Sequence, residues 1–173
     1  MKIGIVGKMC SGKTTLANQI NNYYDNKYFI TSFAKKIKVI AVEIFNMKGK
    51  NRKLLQDIGT KMREIDKDVW AKYALNEADN HNFAIIDDVR FENEIKILKD
   101  NGWLLIKINI SDDLQLQRLK ITYPETWKEH FENIKHESEK SNNIDEIYYD
   151  LIIDSSNSPE NNLNIVIDYI GKQ

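Results

Sequence analysis

The chain has 173 residues, with 25 Lys and Arg against 26 Asp and Glu, a net charge of −1 and one cysteine. That length fits a single domain of the usual roughly 100 to 200 residues, and near-neutral charge argues against direct nucleic-acid binding, which asks for a basic face. A lone cysteine excludes a disulfide framework, and the apolar runs fall well short of the ~20 residues of a membrane helix.

In chain order, "KIGIV" (2–6) reads as a short buried strand, followed by a Gly-rich turn and a helix from Lys13 to about Asn22. "KYFITSF" (27–33) reads as a second strand. Phe33, Ile37, Ile40, Ala41 and Ile44 then fall at i, i+4, i+7, i+8 and i+11, one face of an amphipathic helix over 33–45. Helical patterns follow over 53–63 and 67–78, the second with Asp66 or Asp68 as N-cap. "FAIID" (83–87) is the next buried strand. Its helix, marked by Phe91, Ile95 and Leu98, ends at "DNG", where Gly102 suits the left-handed position past the helix end. "WLLIKINI" (103–110) is a strand, Ser111 with Asp112 and Asp113 caps the helix of Arg118, and 122–147 is polar with weak periodicity. A last strand (148–154) and a last helix (160–170) complete the chain. Strands separated by helices predict an α/β fold around a mostly parallel sheet.

Gly7-x4-Gly12-Lys13-Thr14 satisfies the Walker A pattern, between a strand and a helix as the motif requires. In such a loop, backbone N–H groups and the positive end of the following helix face phosphate oxygens. ATP or GTP binding is therefore expected. Gly7, Ser11, Gly12, Lys13, Thr14 and Thr15 form the phosphate site, Lys13 reaching the β- and γ-phosphates and Thr14 ligating Mg²⁺. Asp87 and Asp88, at the end of an apolar strand, stand where a Walker B carboxylate holds Mg²⁺, and either could equally cap the next helix. Arginine is scarce, being found only at positions 52, 63, 90 and 118. Guanidinium binds phosphate bidentately and does not titrate, so these positions draw interest. Arg52, in a Lys-rich loop, reads as a surface ion pair. Arg90, two residues past Asp88, lies where open α/β folds bind ligands.

"SFAKKIK", "LLQDIGTKMREIDKDVW", "IIDDVRFENE" and "HESE" stand in the order and spacing of the deoxynucleoside monophosphate kinases of phages and large DNA viruses, which the chain resembles from Met1 to about Ile170. The resemblance implies a five-stranded parallel sheet in one P-loop kinase domain, with a substrate-binding segment near 33–78 and a helical lid near 118–147. It implies Lys13, Asp88, Arg90 and Arg118 as catalytic groups and Thr14 and Asp88 at the metal. Phe33, Gln56, Arg63 and Arg90 would hold a deoxynucleoside monophosphate; Phe33 by periodicity is equally a core residue. The 122–147 segment offers Lys128, Lys135 and His136, with Lys120 just before it, but none of the arginines usual in such lids. A viral or phage origin, a cytoplasmic location and a homodimer are further expectations.

Other readings stay open at this point. The acceptor could be another small metabolite of the dephospho-coenzyme A or gluconate kind. A GTP-hydrolysing switch lacks support, because no N-K-x-D motif occurs. Cys10 sits near a helix N-terminus, which can lower a thiol pKa, but reads as a chance occupant of a variable Walker A position. His81 and His130, without clustered cysteines, form no zinc site.

Overall fold

The structure is a computed structural model that describes residues 1–49, 51–132 and 144–172, with Arg52 by its main chain alone. Five strands form one parallel sheet in the order β2-β3-β1-β4-β5. They are β1 (Lys2–Gly7), β2 (Phe29–Thr31), β3 (Ala84–Val89), β4 (Leu104–Asn109) and β5 (Leu151–Asp154). The helices are α1 (Lys13–Tyr23), α2 (Phe33–Glu43), α3 (Arg52–Ile65), α4 (Val69–Asp79), α5 (Glu92–Asp100) and α6 (Asp112–Thr122). A helical stretch over 127–132, α7, and a last helix, α8 (Pro159–Ile170), follow.

Side-chain alternation along the strands divides the core in two. Ile85, Ile106 and Ile153 face a cluster with Leu16, Ala17 and Ile20 of α1 and Val166 of α8. Their neighbours Ala84, Ile86 and Leu105 face the opposite cluster, with Phe33, Ile37 and Ala41 of α2, Ile58 of α3, Trp70, Ala71 and Ala74 of α4, and Ile95 and Leu98 of α5. A fully buried isoleucine contributes roughly 1.5–3 kcal/mol, so this two-faced burial, and not helix propensity, holds the layers together. The Trp70 indole donates to the Gly59 carbonyl at 3.1 Å and fastens α4 to α3.

Several expected boundaries move. The second strand is only Phe29–Thr31, because Ser32 already caps α2. The last strand begins only at Leu151, since Glu146–Tyr148 form a 3-10 turn ahead of it. Helix α2 stops at Glu43, and Asn46 turns the chain with a φ of 52°. Ile44 therefore leaves the buried face on which its spacing placed it and is 68% exposed. Ser111 does cap α6, accepting from the Leu114 N–H. Gly102 takes the expected left-handed position, with a φ of 72°. Helix α6 runs through Thr122; much of the expected lid (133–143), including Lys135, His136 and "HESE", lies outside the described residues. Among the described residues no helix is long and apolar enough to cross a membrane.

Candidate active site

The carboxyl ends of the five strands open onto a cleft of about 970 Å³, where ligands of open α/β sheets bind. The loop between β1 and α1 forms its floor. Gly7 must lack a side chain here, since a Cβ would stand 2.6 Å from Ser11 Oγ and 3.0 Å from the Ile108 carbonyl oxygen. Gly12 is left-handed, with a φ of 101°, and as N-cap of α1 it gives no side chain to the first-turn N–H groups. That helix end is left open for an anion. Among the described residues Ser11 Oγ is buried without a hydrogen-bond partner. Lys13, 8% exposed, bends back to donate to the carbonyls of Gly7 at 2.7 Å and Lys8 at 2.8 Å. Burial, and then the charge of Arg90, lower its pKa to about 8. An open helix end, an orphaned buried hydroxyl and a desolvated ammonium together fit the phosphates of a nucleotide.

The two carboxylates of β3 part company. Thr14 Oγ1 donates to Asp87 Oδ2 at 2.6 Å. Asp88 instead turns to α2, its Oδ1 accepting from the Phe33 N–H at 2.8 Å and its Oδ2 from the Ala34 N–H at 2.9 Å. The expectation that Asp88 accompanies Thr14 at a metal is therefore corrected: Asp87 faces Thr14, and both oxygens of Asp88 are spent on the amino end of α2. Burial holds the Asp88 carboxyl above its ordinary range, and the two N–H bonds pull the other way. Thr14 and Asp87 are the oxygen donors that suit Mg²⁺.

On the far side of β3 the cleft is lined by Phe33, Ile37 and Lys38 of α2, by Leu55, Gln56, Gly59 and Arg63 of α3, and by Arg90 and Phe91. Phe33 is 3% exposed and packs in the core, so it bounds the cleft as a wall. The Arg63 guanidinium lies 4.7 Å over the Phe91 ring and 3.8 Å from Glu94. Glu94 Oε2 accepts from the N–H groups of Arg90 at 2.9 Å and Phe91 at 3.0 Å, and so shapes the turn that presents Arg90. Burial pushes the Glu94 carboxyl up to about 7 against these two bonds and the Arg63 charge.

On the near side, Arg118, Tyr123 and His130 line the cleft together with Ser155, Asn157, Pro159 and Asn162 of the turn into α8. Arg118 does not stand free above the phosphate loop. Its Nη1 donates to Ser155 Oγ at 2.6 Å and the Cys10 carbonyl at 3.2 Å, and its Nη2 to the Ser155 carbonyl at 2.7 Å. Burial pushes the Cys10 thiol up, although Lys13 and Arg118 pull it down. Lys120 and Lys128 lie over the Trp127 ring, at 4.9 and 5.7 Å. His130 stacks on Tyr123 and His81 on Phe29. Among the described residues no cluster of His, Cys, Asp or Glu is set to hold a metal by itself.

No protein-family model matches the sequence, and no curated protein does. Solved structures do match along nearly the whole chain. A gluconokinase from Sinorhizobium meliloti 1021 is 10% identical with a TM-score of 0.64, covering 99% of this chain and 91% of its own. A shikimate kinase from Acinetobacter baumannii is 14% identical with a TM-score of 0.61, covering 99% and 93%. The chain has the P-loop kinase fold. An uncharacterised protein from Eubacterium ventriosum ATCC 27560, 16% identical with a TM-score of 0.64, covers 100% of this chain and 99% of its own. In this P-loop kinase fold the residues that the sequence left unremarked are Gln115, Ser155 and, in part, Glu94. Ser155 and Gln115 act on a loop more than a hundred positions away, which no local pattern reveals. Glu94 carried a signal, an acid at the third position of a helix, where it can reach back to the N-cap N–H.

Two expected outcomes follow from this geometry. Asp88→Ala leaves the N–H groups of Phe33 and Ala34 without their acceptor and lowers stability by about 1–3 kcal/mol, whereas Asp87→Ala changes it by no more than about 0.5 kcal/mol; urea unfolding at pH 7 separates the two. Glu94 has a folded-state pKa above its unfolded value of 4.5, so its contribution to stability is full below 4.5 and is lost as pH rises through about 7. In Glu94→Gln that loss, at most about 1.4 kcal/mol per pH unit, is absent from unfolding curves taken between pH 5 and pH 8; an unchanged slope contradicts it.

Proposed function

We propose that the chain transfers the γ-phosphoryl group of ATP to the phosphate of a deoxynucleoside 5′-monophosphate. One observation carries the reading: on the acceptor side of the cleft, Lys38, Arg63 and Arg90 supply cations while each lining carboxylate already has an internal partner. Asp87 is bonded to Thr14, Asp88 to α2, and Glu94 to the turn beneath Arg90. A hydroxyl acceptor asks for a base to take its proton. A phosphate acceptor brings its own ionised oxygen and asks for countercharge instead. The kinase fold shared with the gluconokinase and shikimate kinase supports phosphoryl transfer in general.

In this reading the phosphate loop and the open end of α1 bind the donor's phosphates. Thr14 and Asp87 would hold Mg²⁺, which when bound neutralises charge on the donor's terminal oxygens. An oxygen of the acceptor phosphate forms a bond to the γ-phosphorus as the bond to the departing ADP oxygen breaks, and no proton need move. Lys13 and Arg90 flank the oxygens in flight, and Arg63 holds the acceptor phosphate. Gln56 and the flat apolar wall of Phe33, Ile37 and Phe91 border the space left for sugar and base. Such catalysis consists of positioning and charge neutralisation, without a covalent enzyme intermediate.

A second reading has its own support. Glu94 keeps a carboxyl near pH 7 beside the cleft, the range of a general base, as a kinase of a small hydroxy acid would use. A panel of the eight common ribo- and deoxyribonucleoside monophosphates, with gluconate and shikimate alongside, decides between them in an ADP-release assay. The proposal expects a deoxynucleotide to be the best acceptor; turnover of a hydroxy acid alone refutes it. With that acceptor, Lys13→Ala and Arg90→Ala each lower kcat/KM by at least ~100-fold, the scale of losing one charge contact to the transition state, while circular dichroism stays native. Near-normal turnover of Arg90→Ala removes it from the chemistry.

A further inference from the structure

One face of α6 runs beside the phosphate loop in register with it. Asp112 accepts from Lys8 Nζ at 2.8 Å, Gln115 Nε2 donates to the Met9 carbonyl at 2.8 Å, and Arg118 Nη1 donates to the Cys10 carbonyl at 3.2 Å. Loop residues 8, 9 and 10 thus meet α6 at positions 112, 115 and 118, the i, i+3 spacing of one helix face. From the other end of the chain, Ser155 Oγ donates to the next carbonyl, that of Ser11, at 2.7 Å. Ser155 is itself gripped by both Arg118 nitrogens. Gln115 and Ser155 are each 3% exposed, so their contacts are protected, whereas the Lys8–Asp112 pair lies at the surface.

We propose that Gln115, Arg118 and Ser155 are positioning residues that hold the phosphate loop in its anion-receiving shape by fixing three consecutive carbonyls. The peptide unit is planar and trans, so each carbonyl sets the N–H of the following residue in the opposite direction. Fastening the carbonyls of Met9 and Ser11 towards α6 and the turn into α8 turns the N–H groups of Cys10 and Gly12 to the other face of the loop, while the Ser11 N–H, which follows the Cys10 carbonyl, donates to the Lys8 carbonyl at 3.3 Å. Backbone N–H groups presented on one face of a loop form an anion-binding concavity. The clamp also explains how Cys10, which is not glycine, keeps a left-handed φ of 61°, a conformation that persists only where the surroundings impose it. Lys13 closes the series by bonding the carbonyls of Gly7 and Lys8. Arg118 so placed differs from a lid arginine: N–H groups committed to loop carbonyls serve the loop, and their effect on the donor is indirect.

The clamp concerns the donor half-site only, and its test needs no acceptor, so it stands or falls separately from the reading of the acceptor. Calorimetry measures Kd for Mg·ATP and for inorganic tripolyphosphate with Mg²⁺, which has phosphates but no base, in the wild type, Ser155→Ala, Gln115→Leu and Arg118→Lys. Ser155→Ala and Gln115→Leu are expected to raise both Kd values by the same factor, about tenfold, the equilibrium effect of one net hydrogen bond. Arg118→Lys is expected to raise both by at least as much. A loss for ATP with tripolyphosphate unchanged would assign Ser155 to base contact and overturn the clamp. Unchanged Kd values for both ligands, with only kcat lowered in Arg118→Lys, would overturn it in favour of direct action on the phosphoryl group. Thermal melts of the ligand-free variants accompany each titration; if one variant fails to fold, the other neutral substitution still gives the comparison.

Discussion

Two successive residues on a strand face opposite ways, and the site is organised around that constraint at Asp87 and Asp88. Asp87 turns towards the phosphate loop and meets Thr14. Asp88 turns to the other layer and takes the first two N–H groups of α2. A helix N-terminus attracts whatever anion lies nearest. At α2 that anion is the protein's own carboxylate, whereas at α1 Gly12 supplies none. One helix end is thus closed by a carboxylate of the protein, and the other carries no side-chain cap.

The cleft also holds ionisable groups under strain of opposite sign. Lys13 is desolvated beneath the phosphate loop, with its pKa lowered to about 8. Glu94 is desolvated on the far side of β3, with its carboxyl raised to about 7. Each charge is costly in the empty protein, and each is offset by backbone groups: two carbonyls for the ammonium, two N–H groups for the carboxylate. In the proposed function, a phosphate beside Lys13 would exchange its two carbonyl bonds for an ion pair in a water-poor site, where such a contact is stronger than at the surface. Arg63, stacked on Phe91 and close to Glu94, is held ready without being tied to a carboxylate by a short bond.

The strands, the phosphate loop and the order of elements were legible because they rest on local patterns: short apolar runs, glycines at fixed spacing, and a capping serine before α6. Sequence failed where the deciding contact is distant. Nothing near "IIDDV" says which aspartate turns to α2, since that depends on where α2 begins in space. Arg118 carried the right chemistry for phosphate, but its partners are backbone carbonyls brought in by the loop and by Ser155. Ile44 fitted the buried face by periodicity, yet the helix ended one residue before it. A helix N-terminus can lower a thiol pKa, but at Cys10 burial outweighs the nearby cations.

One cleft, in this account, takes two phosphate-bearing ligands end to end, donor over α1 and acceptor before Arg63 and Arg90. The most direct measurement is calorimetric binding of adenosine joined through five phosphates to a deoxynucleoside. A molecule that fills both half-sites binds one per chain and tighter than ATP by about 100-fold or more, the usual gain from linking two sites at matched distance. Affinity equal to that of ATP alone, unaffected by Arg63→Ala, would show that only the donor half is a nucleotide site.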